Sequence, residues 1–154
     1  MDKNDILEQL RSAKAAHISW VQKAKMLIGG FSIDEKAIPI NSTECRFGQW
    51  FYSDAQKLNG LQNNPLECMH TIEALHFQLH DTYMHIFQIY YHSNQQGFFS
   101  KLFGNKKKVS DAQKEEAQAH FNTLQETSKA LIEEINRMER RILSTPQEQI
   151  EEIR

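Results

Sequence analysis

The sequence predicts an all-α fold: an antiparallel four-helix bundle with a short additional helix laid along one side. Two observations carry that prediction. Glycine and proline are scarce, six and three in 154 residues, while the good helix formers Ala, Leu, Glu, Gln and Lys are abundant. Long stretches also place apolar residues at alternating steps of three and four, the spacing of one face of an α-helix. A chain of this length fits one domain with a core of its own. Residues 1–145 read as that domain and 146–154 as a polar C-terminal tail.

The first helix is expected over about 5–28. Its stripe is Ile6, Leu10, Ala13, His17, Trp20 or Val21, Ala24 and Leu27 or Ile28. Gly29-Gly30 stops it, because glycine readily takes the left-handed conformation that follows a helix C-terminus. His17 falls on the stripe one turn from Trp20, so its ring should point inward. Residues 31–42 hold no sustained period and contain Pro39; they read as a loop crossing the bundle. Asn41, Ser42 or Thr43 then caps a short helix of about 43–59 that ends near Asn59-Gly60. This puts Cys45 in that helix's first turn, where free N–H groups and the dipole favour a thiolate. Arg46, beside it, would add to the effect.

Asn63-Asn64-Pro65 opens the third helix, with proline at a position where its missing N–H costs little. The helix runs to about Ser93 with the stripe Met69, Ile72 or Glu73, His76, Leu79 or His80, Tyr83, Phe87 and Tyr90. His76 and His80 are one turn apart on one face, so both can reach one ion. The stretch Phe98–Lys108, apolar first and basic after, reads as a joining loop whose phenylalanines cap the core. A membrane-surface or partner-docking element is the alternative. The fourth helix opens near Ser110-Asp111 and runs to about Leu143. Ala117, Phe121, Leu124, Ser128, Leu131, Ile135, Met138 and Ile142 keep a strict three-four alternation, the seam of a long bundle helix. From Ser144 the chain is polar around Pro146 and either frays or forms a short helical extension.

Bulk properties exclude several functions. A net charge of −2 provides no basic face for nucleic acid. The polar N-terminus lacks the apolar core of a signal peptide, and no window approaches the roughly 18 apolar residues of a membrane span. Two cysteines do not make a disulfide framework. A cytoplasmic protein with reduced thiols is the expectation.

One thiol and three imidazoles from separate segments are the donor set of a closed tetrahedral zinc site. Each also has a plainer reading, histidine as a satisfied core residue and cysteine as a small hydrophobe, and spacing alone leaves both open. The order His17-x-x-Trp20, then Cys45-Arg46-Phe47-Gly48-Gln49-Trp50-Phe51, then His76-x-x-x-His80 resembles the bacterial chemoreceptor zinc-binding domain, the CZB family, over about residues 10–90.

The resemblance implies Zn2+ held by His17, Cys45, His76 and His80. It also implies an insertion around Asn59–Pro65, with His70 as the substitute ligand if the register differs. In that family the domain accompanies chemoreceptors and diguanylate cyclases, so it implies a zinc- or redox-sensing signal-transduction role. Output would pass through such a signalling partner or through homodimerisation. Gly48 would let a neighbouring helix backbone come close, and Trp20, Phe47 and Trp50 would exclude water.

No nucleophile–base set or phosphate loop is visible, and four protein ligands leave zinc no position for water. The chain is therefore not expected to be an enzyme. The alternatives are a purely structural zinc in a protein-interaction module and, behind it, a zinc hydrolase with an open site. A di-iron centre is discounted, because Glu67-x-x-His70 and Glu73-x-x-His76 lie on one helix and cannot face each other. His70, His85, His92 and His120 read as surface residues, and Cys68 as a buried spectator.

Overall fold

In a computed structural model of the chain, residues 1–61, 66–91 and 109–153 are described. They form α1 (Lys3–Ile28), α2 (Arg46–Phe51), a 3₁₀ helix (Asp54–Gly60), α3 (Leu66–Tyr90), α4 (Asp111–Ser144) and α5 (Gln147–Glu152). No strand occurs among the described residues, so the all-α expectation holds.

The long helices start and stop where local chemistry tells them to. Asp2 caps α1 in a reciprocal box with Asp5, and Ser110 caps α4 in the same way with Gln113, each satisfying N–H groups that the first turn leaves free. At the end of α1, Gly30 takes φ +94, and the Phe31 N–H turns back to Met26 O at 3.0 Å. The whole predicted seam of α4 is buried. On α3 the buried face is wider than the predicted stripe. Glu73 is exposed and Phe87 half-buried, while Cys68, Ile86 and Ile89 also point inward. The helix packs against α4 on one side and the rest of the chain on the other, so one narrow stripe does not describe it.

Side-chain contacts set the course of the chain. Lys3 Nζ donates to Leu143 O and Thr145 O at 2.7 and 2.9 Å, and Arg11 and Lys14 both reach Glu139. The start of α1 therefore lies beside the end of α4. His17 packs on His76, and the Tyr90 hydroxyl lies 3.5 Å from Ile28 O, so α1 and α3 run parallel. Between them the chain descends. The Tyr91 hydroxyl donates to Ile33 O, the His80 ring meets Pro39 O, and Cys45 meets His76. Lower down, Arg46, Trp50, Asp54 and Lys57 share a crevice with Gln9, Glu8, Asp5 and Met1. The four legs run up, down, up and down. The second is an irregular strap (residues 31–44) above and α2 with the 3₁₀ helix below.

That second leg departs from the expected single helix over 43–59. Cys45 has extended backbone (φ −71, ψ 153) and is itself the N-cap of α2. Asn41 instead closes a turn, accepting from Thr43 N–H at 3.0 Å. The helix stops after one and a half turns because the Ser53 hydroxyl bonds back to Gln49 O at 2.6 Å, and its backbone (φ −121, ψ −97) leaves the helical region. Short polar side chains compete for backbone groups in this way. At the other end of the chain, α5 is held down by Ile150, which is fully buried. The Asn63-Asn64-Pro65 start of α3, His92 and the Phe98–Lys108 stretch lie outside the described residues.

Candidate metal centre

Three elements deliver four donor side chains to one buried point. His17 comes from the apolar stripe of α1, Cys45 from the N-cap of α2, and His76 and His80 from successive turns of α3. All four are buried, and one ligand atom from each lies within 4.8 Å of every other. Cys45 Sγ is 3.2 Å from His76 Nε2, and His76 Nε2 is 3.1 Å from His80 Nε2.

The far nitrogens of two rings are anchored. His17 Nδ1 lies 2.6 Å from Ala13 O, and His80 Nδ1 lies 2.7 Å from Pro39 O. A carbonyl only accepts, so each Nδ1 carries the hydrogen and each Nε2 turns a lone pair toward the cluster. Ala13 is one turn before His17 on the same helix, a local relation. Pro39, in the strap, has no sequence signal for this role.

This donor set fits a zinc ion. His17 Nε2 is buried and has no hydrogen-bond partner, and a buried polar atom left in that state calls for one. Tetrahedral zinc with ordinary bond lengths sets edges of about 3.3 Å between nitrogens and about 3.6 Å between sulfur and nitrogen. The observed 3.1 and 3.2 Å are a few tenths of an ångström short of those edges, and the wider separations, up to 4.8 Å, must draw in around the ion. Burial also keeps the rings in their ligand form. It lowers His17 to about 4 and His76 to about 2, the latter helped by its imidazole neighbours, and it lowers His80 against the opposing pull of Pro39 O.

The thiol corrects one expectation. Burial pushes Cys45 above the usual thiol range, and the Gly48 N–H, 3.2 Å from Sγ, pulls the other way but less strongly. Arg46 is exposed and does not act on it. In the metal-free chain Cys45 is a thiol rather than a thiolate, because a helix of six residues has too little dipole to offset desolvation. A dication among the donors reverses that balance.

Aromatic rings wall the site. Trp20 lies edge-on to His17 at 4.5 Å and to His80 at 5.5 Å. Phe47 does the same for His76 at 5.1 Å and His17 at 5.9 Å. Trp50 sits one ring further out, against Phe47 at 5.8 Å. Gly48 does permit a close approach, but of the loop rather than of a helix. A Cβ there would stand 1.7 Å from Ser42 O, and Ser42 O is also 3.5 Å from Cys45 Sγ. The loop is thus folded tightly over the thiol.

His70 is exposed and Cys68 buried, and neither joins the cluster. Glu73 lies on the outside, 3.4 Å from the Tyr52 hydroxyl, so it takes no part in a metal centre with His76.

The family model of the chemoreceptor zinc-binding domain, CZB, matches residues 17–87, a span that opens at His17 and contains the other three donors. No curated protein and no solved structure matches the chain. The match and the cluster together support Zn2+ as the ion of this site.

Proposed function

From the match of residues 17–87 to the chemoreceptor zinc-binding domain, we propose that the chain is a regulatory zinc-binding domain. Its ligands are His17, Cys45, His76 and His80, with one ion per chain. The observation that carries this reading is the convergence of four buried donors, one of them the unpartnered Nε2 of His17.

Bound zinc would supply the positive charge that draws the proton from Cys45 and ties the strap–α2 leg to α1 and α3. Ala13 O and Pro39 O hold two imidazoles in the correct tautomer, and Trp20 and Phe47 keep water out. Four protein donors leave no position for a substrate or an activated water, so the reading is binding and not catalysis.

A regulatory role is favoured over a brace by where the long seams lie. α1, α3 and α4 carry continuous apolar faces, which hold such helices together without metal. Cys45 instead caps a six-residue helix at the end of an irregular strap, a leg without a long helical seam of its own. Zinc occupancy, or oxidation of the thiol, would change that leg first. The output would reach a second copy of the chain or a signalling partner such as a chemoreceptor or diguanylate cyclase, in the reducing cytoplasm. Among the described residues no helix is long and apolar enough to cross a membrane.

Metal analysis of the purified chain tests the reading. One equivalent of zinc is expected, with His76→Ala and His80→Ala each losing most of it. Unchanged zinc content in either variant, or a spectrum showing metal-bound water with Cys45 turned away, would overturn it.

A further inference from the structure

A different group of metal-ligating side chains lies on the surface seam between α3 and α4. Asp81 and His85 are one turn apart on α3, and Glu116 and His120 are one turn apart on α4. The two imidazoles stack across the seam, with ring centroids 5.0 Å apart and planes 15° from parallel. His85 Nε2 is 3.6 Å from Asp81 Oδ2, and His120 Nε2 is 3.7 Å from Glu116 Oε1, both beyond hydrogen-bond reach. The imidazoles are 44% and 31% exposed and the carboxylates 43% and 62%, so all four side chains have room to turn.

We propose that these residues form a second, exposed site for a divalent transition metal, bridging α3 and α4. Donors four residues apart on a helix share a face, and here two such pairs are brought to the same seam. Each pair combines one imidazole with one carboxylate. Two imidazoles with carboxylate and water suit zinc, nickel, cobalt or copper ions, whereas calcium and magnesium call for an all-oxygen set.

His85 and His120 are the principal ligands, because their rings meet across the seam. They meet face to face, with the ring nitrogens directed along the seam, so both rings must turn before they share one ion. α3 and α4 run antiparallel, so Asp81 and Glu116 stand at opposite ends of the imidazole pair, and one or both can complete the shell. The donors stand in two pairs and converge only when exposed side chains rotate. Binding is therefore weaker than at a buried cluster whose donors already converge. The group shares no residue with His17, Cys45, His76 and His80, although Asp81 directly follows His80 on α3. Occupancy clamps α3 and α4 together beside the buried centre, so the chain takes up metal in two separate concentration ranges.

The test uses the full chain, prepared without a histidine tag and already holding its tightly bound zinc, dialysed against increasing Zn2+. One further equivalent is expected, accompanied by a rise in Tm, since a bridge between helices stabilises the folded state. His85→Ala and His120→Ala should each remove the further equivalent and the Tm rise, while leaving the tightly bound zinc and the helical content unchanged. His76→Ala should lose the tight zinc and keep the weak one, which separates this site from the buried one. The proposal is overturned if no further equivalent binds, if it survives both histidine variants, or if each single variant keeps half of it. The last result would mean two independent one-helix sites rather than a bridge.

Discussion

Acidifying the metal-free chain from pH 7.5 to 5.5 should remove a substantial part of its stability. His17 and His76 are 0% and 1% exposed, and burial lowers them to about 4 and about 2; His80 moves in the same direction. In the unfolded chain such groups titrate near ~6.5. Below that pH the unfolded chain takes up protons that the folded chain refuses. Stability is therefore complete above the unfolded value and is lost as pH falls toward the folded values.

At pH 5.5, one unit below the unfolded value, each such group costs about 1.4 kcal/mol. His17 and His76 together take away about 2.7 kcal/mol, and His80 adds to the loss. Total stabilities of about 5–15 kcal/mol are usual for a domain, so the effect is large. Urea unfolding in the presence of a chelator, followed by circular dichroism at the two pH values, measures it.

His17→Leu is the control. It removes one titrating group, which should shrink the pH-dependent loss by about 1.4 kcal/mol. It also removes the unpartnered buried Nε2, an atom whose desolvation costs about 1–3 kcal/mol. At pH 7.5 the metal-free variant should accordingly be at least as stable as the parent, while its zinc binding is lost. Equal stability of the parent at both pH values, or an undiminished loss in His17→Leu, would refute the reasoning.

Gly48→Ala should strongly disrupt the Cys45 loop, since its Cβ would meet Ser42 O at 1.7 Å, where backbone rather than a flexible side chain must yield. A loss of zinc content out of proportion to the loss of helicity is expected, and normal zinc binding would contradict the geometry. Dilute oxidant should release or loosen zinc while helicity stays nearly constant, because the oxidised sulfur no longer offers a full negative charge; a chromogenic chelator read beside circular dichroism follows both. Cys45→Ser should be insensitive to the oxidant, and collapse of the fold as zinc leaves would mark the metal as a brace. Glu139, held below the usual carboxylate range by Lys14 and then Arg11, should cost about 1 kcal/mol when changed to Gln at neutral pH. That cost should shrink as pH falls through the lowered carboxylate range, where the parent is protonated too, and a pH-independent cost in urea unfolding would argue against the ion pairs.

Much of this protein is local information and could be read from the chain. The buried seam of α4 and most of the α1 stripe follow from periodicity, and both capping boxes depend on residues three apart. The pairing of His76 with His80 is equally local, a consequence of helical pitch. Order and spacing of the His, Cys and Trp motifs suggested the family, but whether four distant side chains meet lay beyond periodicity, which determines the face of a helix and not its neighbour.

Packing decided the rest. It drew α3 into contacts wider than one stripe, and it buried Cys45 deeply enough that desolvation outweighs the dipole that sequence position suggested. Packing also seated Pro39 O behind His80 and Ser42 O over Gly48, contacts made by a strap with no period of its own. It set His85 against His120, two residues that read singly as ordinary surface. Such contacts join parts of the chain far apart in sequence, and they form only when the loops close and the helices choose their partners.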